Sequence, residues 1–270
     1  MWRGCLAGLL AGLWTGGALA GAWPREPGHG FVSAGLEVTA LRGEWNDGDV
    51  APQLDGYRTL YAEFGLTPRL TAGIDSGGDE TALTGDLERQ VQQLTARAGL
   101  PDPNRSALPR ISTWSSIVFL RYALSPLDAR HRVAVQIGAG QRKYTALGRY
   151  LGQLDARHEN ILRPALVYGT SFTAWDRPGW VSVESSVEFR EDTSGQAVKL
   201  DGTVGLQGKG RLSYMLQVQS GDFPQSDPYV KLLPGAVLAL GHGVSLESAL
   251  IWGLRGDDSV GARMALWWEF

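Results

Sequence analysis

Residues 30 to 41, GFVSAGLEVTAL, place Val32, Ala34, Leu36, Val38 and Ala40 on one face and Ser33, Gly35, Glu37 and Thr39 on the other. A repeat of two is the side-chain period of a β-strand, and no helix produces it. The pattern constrains this chain more than any other feature because it recurs to the last residue. Leu60, Ala62, Phe64 and Leu66 oppose Thr59, Tyr61 and Glu63; Trp114, Val118, Leu120 and Tyr122 oppose Ser115 and Arg121. The final run sets Val260, Ala262, Met264, Leu266, Trp268 and Phe270 against Arg263, Ala265, Trp267 and Glu269. Twelve such runs are predicted, near 30–41, 56–66, 69–76, 112–124, 132–140, 160–169, 179–189, 197–207, 211–219, 228–240, 244–254 and 259–270.

Residues 1 to 22 read differently. One early cation (Arg3), an apolar run from Leu6 to Trp14, and small residues at Ala18, Ala20 and Ala22 predict a cleaved secretory signal peptide. The run is too short to span a bilayer as a helix. The mature chain is expected to begin near Gly21 or Trp23, leaving 23–270 as one domain. The single cysteine, Cys5, falls inside the leader, so the exported protein has no disulfide. With no staple, so long a chain must be held by one sizeable core or by a closed sheet. A formal charge of −3 with scattered basic residues excludes a nucleic-acid footprint.

Period two alone does not say which face meets water. A secreted sandwich or lipocalin-like barrel buries the apolar face, whereas a membrane barrel turns it to lipid. Ionisable groups stand in the middle of the polar faces (Glu184, Glu188, Lys199, Asp201, Lys231, Glu247, Arg263), and the opposite faces are almost free of charge. Trp114 and Tyr122 lie on an apolar face about 26 Å apart along a strand, or about 20 Å along the membrane normal at a tilt of ~40°. That separation suits two aromatic girdles around a lipid belt. The connections alternate too: those after even-numbered runs are mostly tight (TPR, SPLDARH, GKG, GHG, and SFTAWDRP as the longest), while those after odd-numbered runs are mostly longer and polar (42–55, 77–111, 141–159 and 220–227), although 190–196 and 255–258 are short. Short turns on one rim and long loops on the other are the pattern of an up-and-down transmembrane barrel.

With its leader, even strand number, polar inner face and terminal strand ending in Phe270, the chain resembles Gram-negative outer-membrane β-barrels. The segment YAEFGLTPRLTAGIDSG (61–77) resembles the hairpin of transporter-like barrels of the phenol meta-cleavage pathway type. The resemblance implies an all-β, twelve-stranded antiparallel barrel with both termini in the periplasm, outer-membrane lipid around it, and Trp268 and Phe270 read by the barrel-assembly machinery. It implies transport of small solutes but carries over no site residue.

On this reading the lumen is lined by Glu37, Glu63, Asp75, Arg121, Arg132, Arg163, Glu184, Glu188, Lys199, Asp201, Gln217, Gln219, Lys231, Glu247, Arg263 and Glu269. These groups form either a charged solute path or an electrostatic plug in which opposite charges pair across a narrow barrel. Within 77–110, the longest loop, Leu87, Val91, Leu94 and Ala98 recur at helical spacing, predicting a helix over about 84–98 on the extracellular side. A competing class, a rim hydrolase, would rest on His158 with Asp155 and Glu159 beside it. No nucleophile elbow, phosphate loop or paired-cysteine motif is present, so no enzyme, cofactor or metal is expected. Pro164 and Pro234 fall on the lipid faces of two strands, where each removes a ladder hydrogen bond, and predict bulges or shifted strand ends there.

Overall fold

A computed structural model describes residues 21–45, 54–81, 111–147, 154–224 and 226–270. Its strands are β1 (Gly30–Leu41), β2 (Asp55–Gly65), β3 (Leu70–Thr81), β4 (Ile111–Ala123), β5 (His131–Leu147), β6 (Leu154–Ala174), β7 (Arg177–Arg190), β8 (Gln196–Gln207), β9 (Leu212–Asp222), β10 (Tyr229–Gly241), β11 (Val244–Arg255) and β12 (Ser259–Glu269). Each pairs antiparallel with its sequence neighbours, and β1 pairs with β12, so the sheet closes as a barrel with no free edge. Closure is what makes a sheet tolerable in lipid, because every backbone donor and acceptor is met by a neighbouring strand.

The alternation of the sequence becomes the alternation of the wall. Leu36, Leu60, Leu120, Ile137, Leu166, Leu216, Leu250 and Leu266 all point outward and are roughly half exposed. Outward aromatics collect near the ends: Phe64, Tyr122, Tyr214, Trp268 and Phe270 toward the rim that carries the chain terminus, and Trp114, Phe189 and Trp252 toward the other. We call these the terminal rim and the loop rim.

The terminal rim is built of short turns. The β6–β7 connection is the two residues Trp175 (φ 51°) and Asp176 (φ 58°), both left-handed, as a hairpin of right-twisted strands requires. SFTAWDRP therefore holds a turn as short as His242–Gly243 between β10 and β11 and is not the rim's longest, because β6 and β7 continue through the residues flanking Trp175 and Asp176.

Strand ends depart from the sequence expectation on the loop rim. β3 runs on through Thr81, β9 through Asp222, and β5 and β6 absorb most of the stretch expected to be a loop at 141–159. At 21 residues β6 is about 70 Å of extended chain, well beyond the 9–11 residues a tilted strand needs to cross a bilayer. From Gln141↔Asn160 to Tyr144↔Arg157 the ladder is polar on both faces, which hid it from a search for apolar alternation. Residues 1–20 of the leader expected at 1–22, and the helix expected at 84–98, lie outside the described residues.

Neither proline carries a bulge. Pro164 stays in register opposite Ile137 of β5, and Pro234 opposite Leu216 of β9. On the other side the ladder opens instead: pairing to β7 passes from Leu162↔Phe189 to Ala165↔Ser186, and pairing to β11 from Leu232↔Trp252 to Gly235↔Ala249. Each proline thus aims its missing N–H at a two-residue gap without slipping the strand.

Candidate functional site: the barrel lumen

The inner face divides into two zones. Toward the terminal rim it is packed around Glu63, whose side chain is fully buried. Arg121, 3% exposed, donates to Glu63 and through Nη2 to the Tyr61 hydroxyl at 2.9 Å, while its Nε reaches Gln136 Oε1 at 3.0 Å. The Tyr61 hydroxyl also donates to Glu63. Phe31, Tyr61, Phe119 and Trp267 stack through this layer, with ring centroids 5.8–6.4 Å apart. A buried carboxylate is sustainable because two cations and a hydroxyl surround it.

A segment from outside the strands completes this zone. Residues Gly21 to His29 run along the inside of the wall from the terminal rim. Arg25 Nε donates to Glu63 at 2.9 Å and its Nη1 to Glu269 at 3.3 Å. The Gly21 carbonyl accepts from Arg121 at 2.8 Å, and Ala22, 1% exposed, packs between Ala134 and Val167.

Above this floor lies a chamber of ≈ 820 Å³ that reaches from Gly21 to Asp55, Asp227 and Asp257 at the loop rim. On one side Arg263 bridges Glu37 at 2.6 Å and Glu247 at 3.1 Å, and Trp267 Nε1 donates to the other Glu247 oxygen at 3.0 Å. Across the lumen Arg163 of β6 reaches Asp75 of β3 at 2.6 Å, three strands away. Near the rim Lys231 pairs with Asp257 at 2.8 Å. Burial raises the Asp257 carboxyl, but the hydrogen bonds from Lys231 and Ser259 outweigh it and hold that turn residue below its ordinary pKa.

Three chamber charges stand apart. Glu184, Lys199 and Asp201 lie outside salt-bridge distance of any described residue, although Ser220 donates its N–H to Asp201 at 3.3 Å. Glu184 and Asp201 are direct cross-strand partners, so two carboxylates face each other on one surface. Like charges so placed repel, and Lys199, two residues before Asp201 on the same face of β8, offsets the repulsion at Asp201 without closing to an ion pair. Trp180, Tyr57, Tyr61 and Tyr229 present rings around this space.

Of the residues expected to line a solute path, Glu37, Arg121, Arg163, Glu184, Lys199, Asp201, Lys231, Glu247 and Arg263 border the chamber. Glu63 and Glu188 face inward but not onto it. Glu63 lies in the packed floor; Glu188 is bound to Arg190 at 2.7 Å and approaches Arg163 at 3.8 Å. The electrostatic-plug alternative therefore describes part of the lumen only. His158 sits in β6 opposite Lys143, exposed, while Glu159 next to it turns inward to Arg142 (3.2 Å) and Thr193 (2.7 Å). His158 and Glu159 thus point to opposite sides of the wall; the side chain of Asp155, the third group of the hydrolase alternative, lies outside the described residues.

Sequence reasoning missed the inner segment and its wall contacts. A signal was present: Trp23, Pro24 and Arg25 follow the leader with no alternating pattern until Gly30, so these residues had no strand to join. It also missed Leu233, fully buried on the lumen side with Ala249 and Ile251, because LLPGAV blurs the alternation.

No protein-family model matches the sequence, and no curated protein matches it. Solved structures do. The β domain of the Bordetella autotransporter BrkA aligns with a TM-score of 0.51 at 13% identity, covering 91% of this chain and 99% of that one. The Ralstonia pickettii toluene transporter TbuX gives 0.40 at 13% identity over 91% and 89%. CdiB from Acinetobacter baumannii gives 0.41 at 8% identity over 89% of this chain, which spans 60% of the CdiB length. At such identities the likeness is one of fold: a closed twelve-stranded barrel of the outer-membrane type.

Proposed function

We propose that the chain is an outer-membrane barrel that binds and passes small solutes through its chamber, with a preference for cations. The supporting observation is the chamber's lining: eight carboxylates against five basic groups around ≈ 820 Å³, with Glu184 facing Asp201 and neither in an ion pair with a described residue. That volume lies within the usual range for small-ligand sites. A cation between the two carboxylates relieves their repulsion, and the flanking Trp180 and Tyr61 rings favour an organic cation over a fully hydrated one.

In this reading the terminal rim faces the periplasm and the loop rim the exterior. Lipid covers the outward belt. The assembly machinery reads Trp268 and Phe270, whose rings lie 4.6 Å apart on the outer face while Phe270 exchanges backbone hydrogen bonds with Gly30. In this reading the chain carries a solute and does not transform it, a reading that the placing of His158 and Glu159 on opposite sides of the wall supports.

The test is a titration of the refolded barrel with small organic ammonium ions and with matched carboxylates, followed by tryptophan fluorescence. Saturable binding of the ammonium series, weakened by Glu184→Gln and by Asp201→Asn, is the expected outcome. Equal binding of both series, or of neither, overturns the reading.

A further inference from the structure

The inner segment, residues 21 to 29, forms the chamber's floor, and the way it is held resembles a latch more than a wall. At its base it is tied to the terminal rim by Gly28 N–H to the Gly65 carbonyl (3.0 Å) and Gly65 N–H to the His29 carbonyl (3.0 Å). Further in, the backbone N–H of Arg25 donates to Thr71 Oγ1 at 3.1 Å, and the Arg25 guanidinium lies 4.7 Å from the Phe31 ring centroid. Gly21, the first described residue, borders the chamber directly. Gly21 therefore stands between the chamber and the terminal rim.

The wall is cut to receive the segment. A Cβ on Gly169 would fall on the Trp23 ring, and one on Gly65 would fall on the Glu26 carbonyl. Gly21 has φ +114°, a conformation side chains avoid, and sits against the Ser182 hydroxyl. Side-chain-free positions on both partners show a fitted contact.

The wall is also provisioned to stand without it. If Arg25 leaves, Glu63 keeps Arg121 and the Tyr61 hydroxyl. If the Gly21 carbonyl leaves, Arg121 keeps Glu63, Tyr61 and Gln136. Glu269 is 29% exposed at its side chain and is wetted readily. No charge is left buried and alone on the wall, which is the usual obstacle to withdrawing one partner of a buried ion pair.

We propose that residues 21–29 are a removable plug latched by Arg25, so that the chamber communicates with the terminal-rim side only when the plug withdraws. The inference rests on the solute reading for its purpose but not for its test. Thr203→Cys places a reporter thiol in the chamber of a mature chain free of native cysteine. In oriented proteoliposomes, a membrane-impermeant maleimide is confined to the terminal-rim side. Arg25→Ala should speed labelling by about tenfold, the shift that ~1.4 kcal/mol produces, because it removes the contacts to Glu63, Glu269 and the Phe31 ring that hold the segment in place. Arg25→Lys, which keeps the charge, should restore most of the protection. Gly169→Val evicts Trp23 without touching the ion pairs and should also speed labelling; it carries the test if Arg25→Ala fails the heat-modifiable gel shift of a folded barrel. Equal labelling rates in all folded variants overturn the plug. Conductance of the same samples separates the two ideas. Faster labelling with no current in any variant keeps the plug and removes the conduit; current that is equal with and without Arg25 removes the plug.

Discussion

The two ends of one lumen solve the same problem in opposite ways. Around Glu63 every charge is buried and answered: Arg25, Arg121 and the Tyr61 hydroxyl converge on one carboxylate, and four aromatic rings exclude water. Around Glu184 the charges are left open, and two carboxylates face each other across a strand pair. The first arrangement is stable because nothing is missing from it. The second is tolerable because the chamber admits water and counter-ions. In a barrel whose outside offers only lipid, fixed charge can be either locked or usable, and here the two uses occupy different depths.

The contrast breaks most sharply at Glu63. Glu63→Ala strands Arg121 in a buried layer and should cost ~3–5 kcal/mol, read as a lower urea midpoint of the refolded barrel. Glu184→Ala should stay within ~1 kcal/mol of the parent; equal losses at the two positions would erase the distinction. Next comes the triad on the chamber's side. Arg263→Ala leaves Glu37 and the buried Glu247 without their shared cation and should cost ~3 kcal/mol, while Glu247→Leu with Arg263→Met should recover most of it in the same melt. Gly205→Ala drives a methyl into the Trp180 ring that walls the chamber. A loss of ~1–3 kcal/mol with a shifted tryptophan emission maximum is expected. Asp201→Asn removes the facing like charge but also the carboxylate that most favours the Lys199 ammonium, so stability should stay within ~0.5 kcal/mol of the parent, the smallest energetic effect. Finally, the mature N-terminus should be Gly21, not Trp23, because Gly21 and Ala22 hold fitted places on the wall. N-terminal sequencing of the purified protein decides that.

Twelve strands and their inward and outward faces were legible because lipid on one side and water on the other impose a period that side chains record. The match is close wherever the outer face is apolar, as at Leu60, Ala62 and Phe64. It fails where a strand rises out of the lipid belt: Gln141 to Tyr144 and Arg157 to Asn160 are polar on both faces, so only backbone pairing makes them strands. The site was legible in part for a related reason. That Arg121 or Arg163 faces inward follows from parity, but which groups pair is decided by distances across the barrel, such as Arg163 to Asp75, that parity does not contain. The plug left no periodic trace, since a segment lying along a wall has no alternation to show.

Pro164 and Pro234 make the cylinder mechanically uneven. The seam where β1 meets β12 holds eleven consecutive residue pairs without a slip, so the chain's two ends are not its weak line. The two-residue gaps opposite the prolines are, and they differ in what backs them. Behind Pro234 the inward pair is Leu233 with Ile251, apolar and shielded; behind Pro164 it is Arg163 with Glu188, also buried but charged, 3.8 Å apart, with Arg163 bordering the chamber. Under deuterium, backbone amides near Val187 and Glu188 should therefore exchange before those near Leu250 and Ile251, and a wall of apparently uniform ladders should reveal one wet joint and one dry one.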